Sequence, residues 1–188
     1  MSAARKFAIG AAFVASGLAA LAAHGQDDLF DFIPDGGRTL LGDLFAAGTM
    51  APDEVLGSSR SREEWLATIQ GLDTGLDPVQ QDTLAAYLAA TMPAAERGGQ
   101  TMDTGGHALP RDGRDLTLEY CQSCHIITVV VTQDRSREAW LGTMNKPSHV
   151  EIKTTQDERA ALADYLVLNG GISIEDVPID LRAGGATY

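Results

Sequence analysis

The chain contains only two cysteines among its 188 residues, Cys121 and Cys124. Two thiolates cannot complete a four-thiolate zinc site, and no other cysteine remains to build a disulfide framework. The sequence also lacks a glycine-rich phosphate loop and a serine nucleophile motif. These absences exclude several enzyme classes and direct attention to the two thiols.

Positive charge is scarce as well. The chain has 14 lysines and arginines against 26 aspartates and glutamates, a net charge of −12. This balance argues against nucleic acid as a partner, because phosphate binding requires a positive surface. It would attract a partner protein with a basic docking face, although plain solubility explains the same charge.

Long apolar runs are absent except between residues 7 and 23. Two basic residues precede this run and small residues follow it, so residues 1–25 are predicted to form a signal peptide cleaved near Gly25–Gln26. An uncleaved membrane anchor is the alternative. Cleavage would leave 12 basic and 26 acidic residues, a net charge of −14, and no membrane span.

The two cysteines belong to the segment Cys-Gln-Ser-Cys-His at residues 121–125. This is the attachment sequence of a c-type haem. Two thiols about one helical turn apart can each add across a haem vinyl group, which leaves His125 beneath the iron as an axial ligand. The sequence thus predicts one haem c, bound covalently by Cys121 and Cys124. The alternatives are a redox dithiol and a metal site of two cysteines and two histidines.

The sequence also repeats itself. Residues 60–69 match residues 135–144 at seven of ten positions, and both tryptophans of the chain fall in register. Residues 84–88 parallel residues 162–166, and the second copy has three extra residues between the two matched blocks. The repeat predicts two related domains.

The first copy has lost the residues of the haem motif. The repeat places Ala46, Thr49 and Met50 opposite Cys121, Cys124 and His125. We therefore expect a degenerate domain without covalent haem; noncovalent haem held through Met50 is the alternative. A domain that has lost its haem must fill or contract the cavity. The predicted filling side chains are Phe45, Met50, Ile69 and Leu72.

Helix signals run through both copies. Asp115 is predicted to cap the helix that enters the haem motif, and Ser136 to cap the next one. Capping boxes are predicted at Ser61 with Glu64 and at Thr155 with Glu158. The predicted division is a signal peptide (1–25), a haem-free domain (26–92), a linker (93–114), a haem-binding domain (115–171) and an extended tail (172–188). The β-branched segment 126–132 is predicted to be a connecting loop, so the fold class is all-α.

The second axial ligand is left open by the sequence. Met144 lies 19 residues after His125, and its counterpart in the haem-free copy is Ile69. A methionine present only beside the iron suggests ligation, although methionine also fills apolar cores. His149 is the alternative ligand, or else a solvated loop histidine. Methionine raises the reduction potential, a second histidine lowers it, and an open position permits small-molecule chemistry.

Residues 115–170 resemble the periplasmic cytochrome c domains found in the haem subunit of sulfite dehydrogenases and in quinohaemoprotein amine dehydrogenase. The shared pattern is the haem motif, then Arg135 and Trp140 spaced five apart on a helix, then a capped helix ending in Tyr-Leu. The resemblance implies two tandem cytochrome c-like domains, a periplasmic location, and electron transfer with a dehydrogenase. In that family the axial methionine usually follows the tryptophan by about seven residues, where this chain has Pro147.

These observations predict a mono-haem electron-transfer protein or electron-accepting subunit and not an enzyme in its own right. The single haem motif, the small size and the lack of other catalytic residues support this function. A haem enzyme or a gas or redox sensor with an exchangeable sixth ligand is the alternative. The haem-free copy could in addition serve as a docking module for a larger complex.

Overall fold

We describe the fold from a computed structural model, in which residues 28–96 and 100–182 are described. The chain divides into two compact units, Met1–Phe32 and Ile33–Tyr188. In the first unit the structure describes only a short 3-10 turn, Asp28–Phe30, and the residues that follow it. The predicted signal peptide lies outside the described residues.

The second unit is mainly helical, which confirms the expected class in its coarse form. The helices of the first repeat copy are α1 (Gly37–Ala46), α2 (Pro52–Leu56), α3 (Arg62–Gln70) and α4 (Pro78–Thr91). Those of the second copy are α5 (Gly113–Tyr120), α6 (Thr128–Val131), α7 (Arg137–Met144), α8 (Pro147–Val150) and α9 (Gln156–Asn169). Within the described ranges, no helix is long and apolar enough to cross a membrane.

Most helix starts lie where the sequence predicts them. Ser61 and Thr155 form complete capping boxes with Glu64 and Glu158, and Ser136 caps α7 through the backbone N–H of Ala139. The predicted cap at Asp115 is wrong. Asp112 caps α5 instead, and Asp115 is the partner three residues later in that capping box. An acidic residue at either position satisfies exposed N–H groups, so composition alone does not separate them.

Two segments between the helices differ from expectation. The predicted linker contains an antiparallel hairpin, β1 (Thr101–Thr104) paired with β2 (His107–Pro110). Gly105 and Gly106 form its turn, and both have positive φ angles, of 61° and 87°. Segment 126–132, predicted to be a loop, contains the single helical turn α6, which packs Val130 and Val131 inward.

The repeat is visible in the packing of the two copies. In each copy an arginine guanidinium stacks on the tryptophan five residues later, at 4.8 Å for Arg60 on Trp65 and 4.9 Å for Arg135 on Trp140. Both indole rings are buried. The sequence repeat is therefore also a structural repeat, while the domain boundaries given above remain a prediction.

Each copy brings its first helix against its last helix at a glycine. A Cβ added at Gly37 would lie 2.2 Å from the Cβ of Tyr87, and one at Gly113 would lie 2.1 Å from the Cβ of Tyr165. Only glycine permits helices this close. In the second copy this contact fixes α5, whose C-terminal end leads into the haem motif, against α9.

Each copy also donates a hydrogen bond to the segment that precedes the first helix of the other copy. The Tyr87 hydroxyl donates to the carbonyl of Pro110, and the Tyr165 hydroxyl donates to the carbonyl of Pro34. Arg38 of α1 donates twice to the Asp115 carboxylate, both at 2.7 Å. The first copy therefore supports α5, the helix that leads into the haem motif.

Candidate functional site

The second copy contains a cavity of about 490 Å³. Its volume falls within the range of about 300–1,000 Å³ that is usual for small-molecule and cofactor sites. The end of α5, the haem motif, α6, α7, α8 and α9 all contribute residues to its wall. Much of the wall is apolar, with Val129, Val130, Leu162 and Leu166 among its side chains.

The three residues of the haem motif line this cavity together. After α5 the chain makes a 3-10 turn at Cys121–Ser123, and the backbone N–H of His125 donates to the carbonyl of Cys121 at 3.3 Å. This tight turn carries Cys121, Cys124 and His125 to the same wall. Cys121 is half-buried, whereas Cys124 and His125 are exposed where they face the cavity.

Both cysteines are free thiols in the structure. Burial raises the pKa of the Cys121 thiol to about 11. Redox dithiols work in the opposite way, because a lowered pKa keeps the attacking sulfur as thiolate. This environment therefore argues against the redox dithiol alternative. Within the described ranges, no three His, Cys, Asp or Glu side chains are grouped as metal ligands.

Both candidates for the second axial position reach the cavity. Met144 and His149 line it together with His125. The ring centroids of His125 and His149 lie 6.3 Å apart, with the planes inclined by 30°. His107, the histidine of the hairpin, instead contacts Phe45 edge-on at 5.2 Å.

Arg159 organises the segment that carries Met144 and His149. Its guanidinium donates to the backbone carbonyls of Met144, His149 and Ile152. The side chain is buried, at 7% exposure. The sequence patterns above do not predict this role. The sequence does indicate that Arg159 is buried, because it lies three and seven positions before Leu162 and Leu166 and so shares the buried face of α9.

The tryptophan of the second copy carries a buried polar atom without a partner. The indole Nε1 of Trp140 is buried and has no hydrogen-bond partner among the described residues. Leaving a buried donor unpaired costs about 1–3 kcal/mol. Arg135, stacked on the same ring, places a positive charge beside it. The first copy has the same arrangement, with an Nε1 on Trp65 that is likewise unpaired within the described ranges beneath Arg60, so this feature belongs to the repeat and does not by itself indicate a ligand.

The first copy is filled at the equivalent position. Met50, the counterpart of His125, is 6% exposed and belongs to a core that also contains Ile69 and Trp65. Phe45 packs against this core. The predicted filling role is wrong for Leu72, which is 37% exposed because it follows the end of α3 and points outward. Met50 therefore has a packing role.

Comparisons with protein-family models, curated proteins and solved structures found no match to this chain.

Proposed function

We propose that this chain is an exported mono-haem c-type cytochrome that transfers single electrons. The observation that carries the proposal is the placement of Cys121, Cys124 and His125 on the wall of one cavity of about 490 Å³. The motif alone could lie on any surface loop. Its position beside an apolar cavity of this size adds a reason, independent of the motif, to expect a bound cofactor.

The residues of the cavity suit a haem. Two thiols close to the wall provide the sulfurs for thioether bonds, and the His125 imidazole provides an axial nitrogen. The apolar side chains of α6 and α9 suit a flat, largely apolar ring. Arg135, which lines the cavity, provides a positive charge for an acidic side group. When bound, the haem supplies a one-electron ferric–ferrous couple.

Electron exchange would occur at the exposed edge of this cavity. Two apolar side chains that do not line the cavity, Ile126 and Val150, are exposed next to His125 and His149 in the chain. Exposed apolar side chains beside the cavity would suit contact with a partner protein. The chain carries a net charge of −12, so the proposed partner is a periplasmic dehydrogenase, or another redox protein, that presents basic residues around an apolar centre.

The family proposal follows from the same residues. What supports it is the sequence resemblance to the haem subunit of sulfite dehydrogenases, in the haem motif, the spacing of Arg135 and Trp140, and the capped helix that ends in Tyr-Leu. We assign the first copy to a degenerate domain of the same type, whose contacts with α5 give it a structural role. The exported form would lack residues 1–25 and act in the periplasm.

The direct test is expression of the full chain in a bacterium with a cytochrome c maturation system. The exported protein should be red, and alkaline pyridine should yield the spectrum of haem with two thioether bonds. The control is the double variant Cys121→Ala with Cys124→Ala, which should carry no covalent haem. A colourless wild-type protein that is folded by circular dichroism would overturn the proposal.

Electron transfer itself requires a second measurement. The reduced protein should pass its electron to a basic redox protein faster than to an acidic one, and salt should slow only the first reaction. Equal rates with both acceptors would refute the basic docking face. Carbon monoxide binding by the untreated ferrous protein would favour the alternative of a sensor or haem enzyme.

A further inference from the structure

His125 and His149 are spaced as two ligands of one metal ion would be. Their ring centroids are 6.3 Å apart. A metal–imidazole bond is about 2.0 Å long, so two such bonds plus half a ring at each end span roughly 6 Å. We infer that His149 is the second axial ligand of the haem iron, opposite His125. This inference rests on the proposed function, because it requires the haem.

The hydrogen bonding of His149 leaves the appropriate ring nitrogen available. Its Nδ1 lies 3.1 Å from the hydroxyl oxygen of Ser148. Ligating histidines commonly bind the metal through one ring nitrogen while the other is held by a hydrogen-bond partner. Ser148 therefore orients the ring and leaves Nε2 for the iron.

Arg159 is the positioning residue for this ligand. Its guanidinium holds the carbonyls of Met144, His149 and Ile152, so it spans the segment on both sides of α8. The equivalent residue of the first copy is Gln81, whose side-chain amide donates to the carbonyl of Leu76 alone, at 2.9 Å. The haem-binding copy thus restrains its loop at three points where the first copy restrains one.

The comparison of the two copies separates His149 from Met144. Between the two matched blocks the second copy is three residues longer, and α8 with His149 lies in that longer segment. Met144 instead has a direct counterpart, Ile69, which is fully buried in the core of the first copy. Ile69 shows that an apolar residue occupies this helix position even without the haem motif, although Met144 itself is half-buried at the cavity wall. The first copy, in contrast, has no histidine between its two matched blocks.

Ligation by two histidines has consequences for function. Replacing an axial methionine with histidine lowers the reduction potential, so this cytochrome would work below carriers that have histidine and methionine ligands. Both axial positions would be filled by the protein. Small molecules such as carbon monoxide would then find no free site, which separates an electron carrier from a gas sensor.

The test compares full-length holoprotein variants by visible, near-infrared and electron paramagnetic resonance spectroscopy. The wild type should be low-spin and should lack the weak far-red absorption band of methionine–ferric haem. His149→Ala should become high-spin and bind carbon monoxide when reduced, and added imidazole should restore the low-spin spectrum. His149→Met should gain the methionine band and shift to a higher potential.

Two further variants make the test selective. Met144→Leu should keep the wild-type spectrum, because His149 remains as the ligand and leucine keeps an apolar side chain at the cavity wall. His107→Ala removes a histidine that contacts Phe45 and does not line the cavity, so it should also be unchanged. A methionine band in the wild type, or loss of the low-spin spectrum in Met144→Leu but not in His149→Ala, would overturn the inference while covalent haem remained. Absence of covalent haem from the wild type would instead refute the proposed function.

Discussion

Replacement of Gly113 by alanine should separate the two helices that hold the haem motif in place. Optimal contact between carbon atoms is about 3.5–4.0 Å. The added Cβ would lie 2.1 Å from the Tyr165 Cβ and 2.6 Å from the Ala161 carbonyl oxygen. Neither atom can rotate away, because one is attached directly to the α9 backbone and the other is part of it. Helices α5 and α9 must therefore move apart.

The magnitude follows from the cost of overpacking, which is typically about 1–3 kcal/mol. We expect a value near the upper end for backbone-fixed neighbours, offset in part by the helix preference of alanine, which gives a net loss of about 2 kcal/mol. For a protein of this size each kcal/mol lowers the melting temperature by about 2–4 °C. The expected change is therefore a decrease of about 6 °C.

The assay is chemical and thermal unfolding of the holoprotein, followed by far-ultraviolet circular dichroism. Gly142→Ala is the matched control, because a Cβ at this position of α7 meets no atom within 4 Å. That variant should gain about 0.5–1 kcal/mol in free energy of unfolding. If Gly113→Ala proves as stable as Gly142→Ala, the close helix contact deduced here is incorrect.

Three further predictions concern the supporting residues. Arg159→Gln should leave one hydrogen bond to the segment in place of three and convert part of the ferric protein to the high-spin form. Arg159→Lys should retain more of the low-spin spectrum. Equal spectra for the two variants would refute the positioning role. Arg38→Ala leaves the largely buried Asp115 carboxylate, 12% exposed, without its ion partner and should lower the free energy of unfolding by about 2 kcal/mol. Arg62→Ala removes the more exposed pair with Asp82 and should cost less than about 1 kcal/mol, so similar losses would contradict the importance of the inter-copy contact. Burial raises the pKa of the Asp112 carboxyl to about 6, so the folded state takes up a proton at a pH where the unfolded state does not. The stability that Asp112 contributes should therefore be lost as pH rises from about 4 to 6. The difference in free energy of unfolding between the wild type and Asp112→Asn, which keeps a helix cap, should change over that range in unfolding titrations.

The parts of the fold that depend on neighbouring residues could be predicted from the sequence. The boxes at Ser61 and Thr155 were found because a cap and its partner lie three residues apart. The hairpin is not predicted, because paired glycines such as Gly105 and Gly106 are typical of linkers as well as of tight hairpin turns. Four-residue strands of mixed polarity give a weak pattern.

The candidate site likewise contains residues whose roles follow from the sequence and residues whose roles do not. Cys121, Cys124 and His125 form one local motif, so their assembly on a wall could be expected from spacing. The role of Arg159 could not be predicted from the sequence. Its three carbonyl partners belong to a segment 7 to 15 residues earlier in the chain, and the path of that segment is defined only by the fold. The relation of His149 to His125 likewise depends on where α8 lies relative to the haem motif.

Intact mass spectrometry of the exported protein under denaturing conditions tests the central claim most directly. Noncovalent ligands are lost under these conditions, so only groups bonded to the chain add to its mass. The account predicts the mass of the chain without residues 1–25 plus one haem, and the loss of the added mass in the double cysteine variant. A polypeptide mass with no addition, from protein matured beside a working c-type cytochrome, would contradict it.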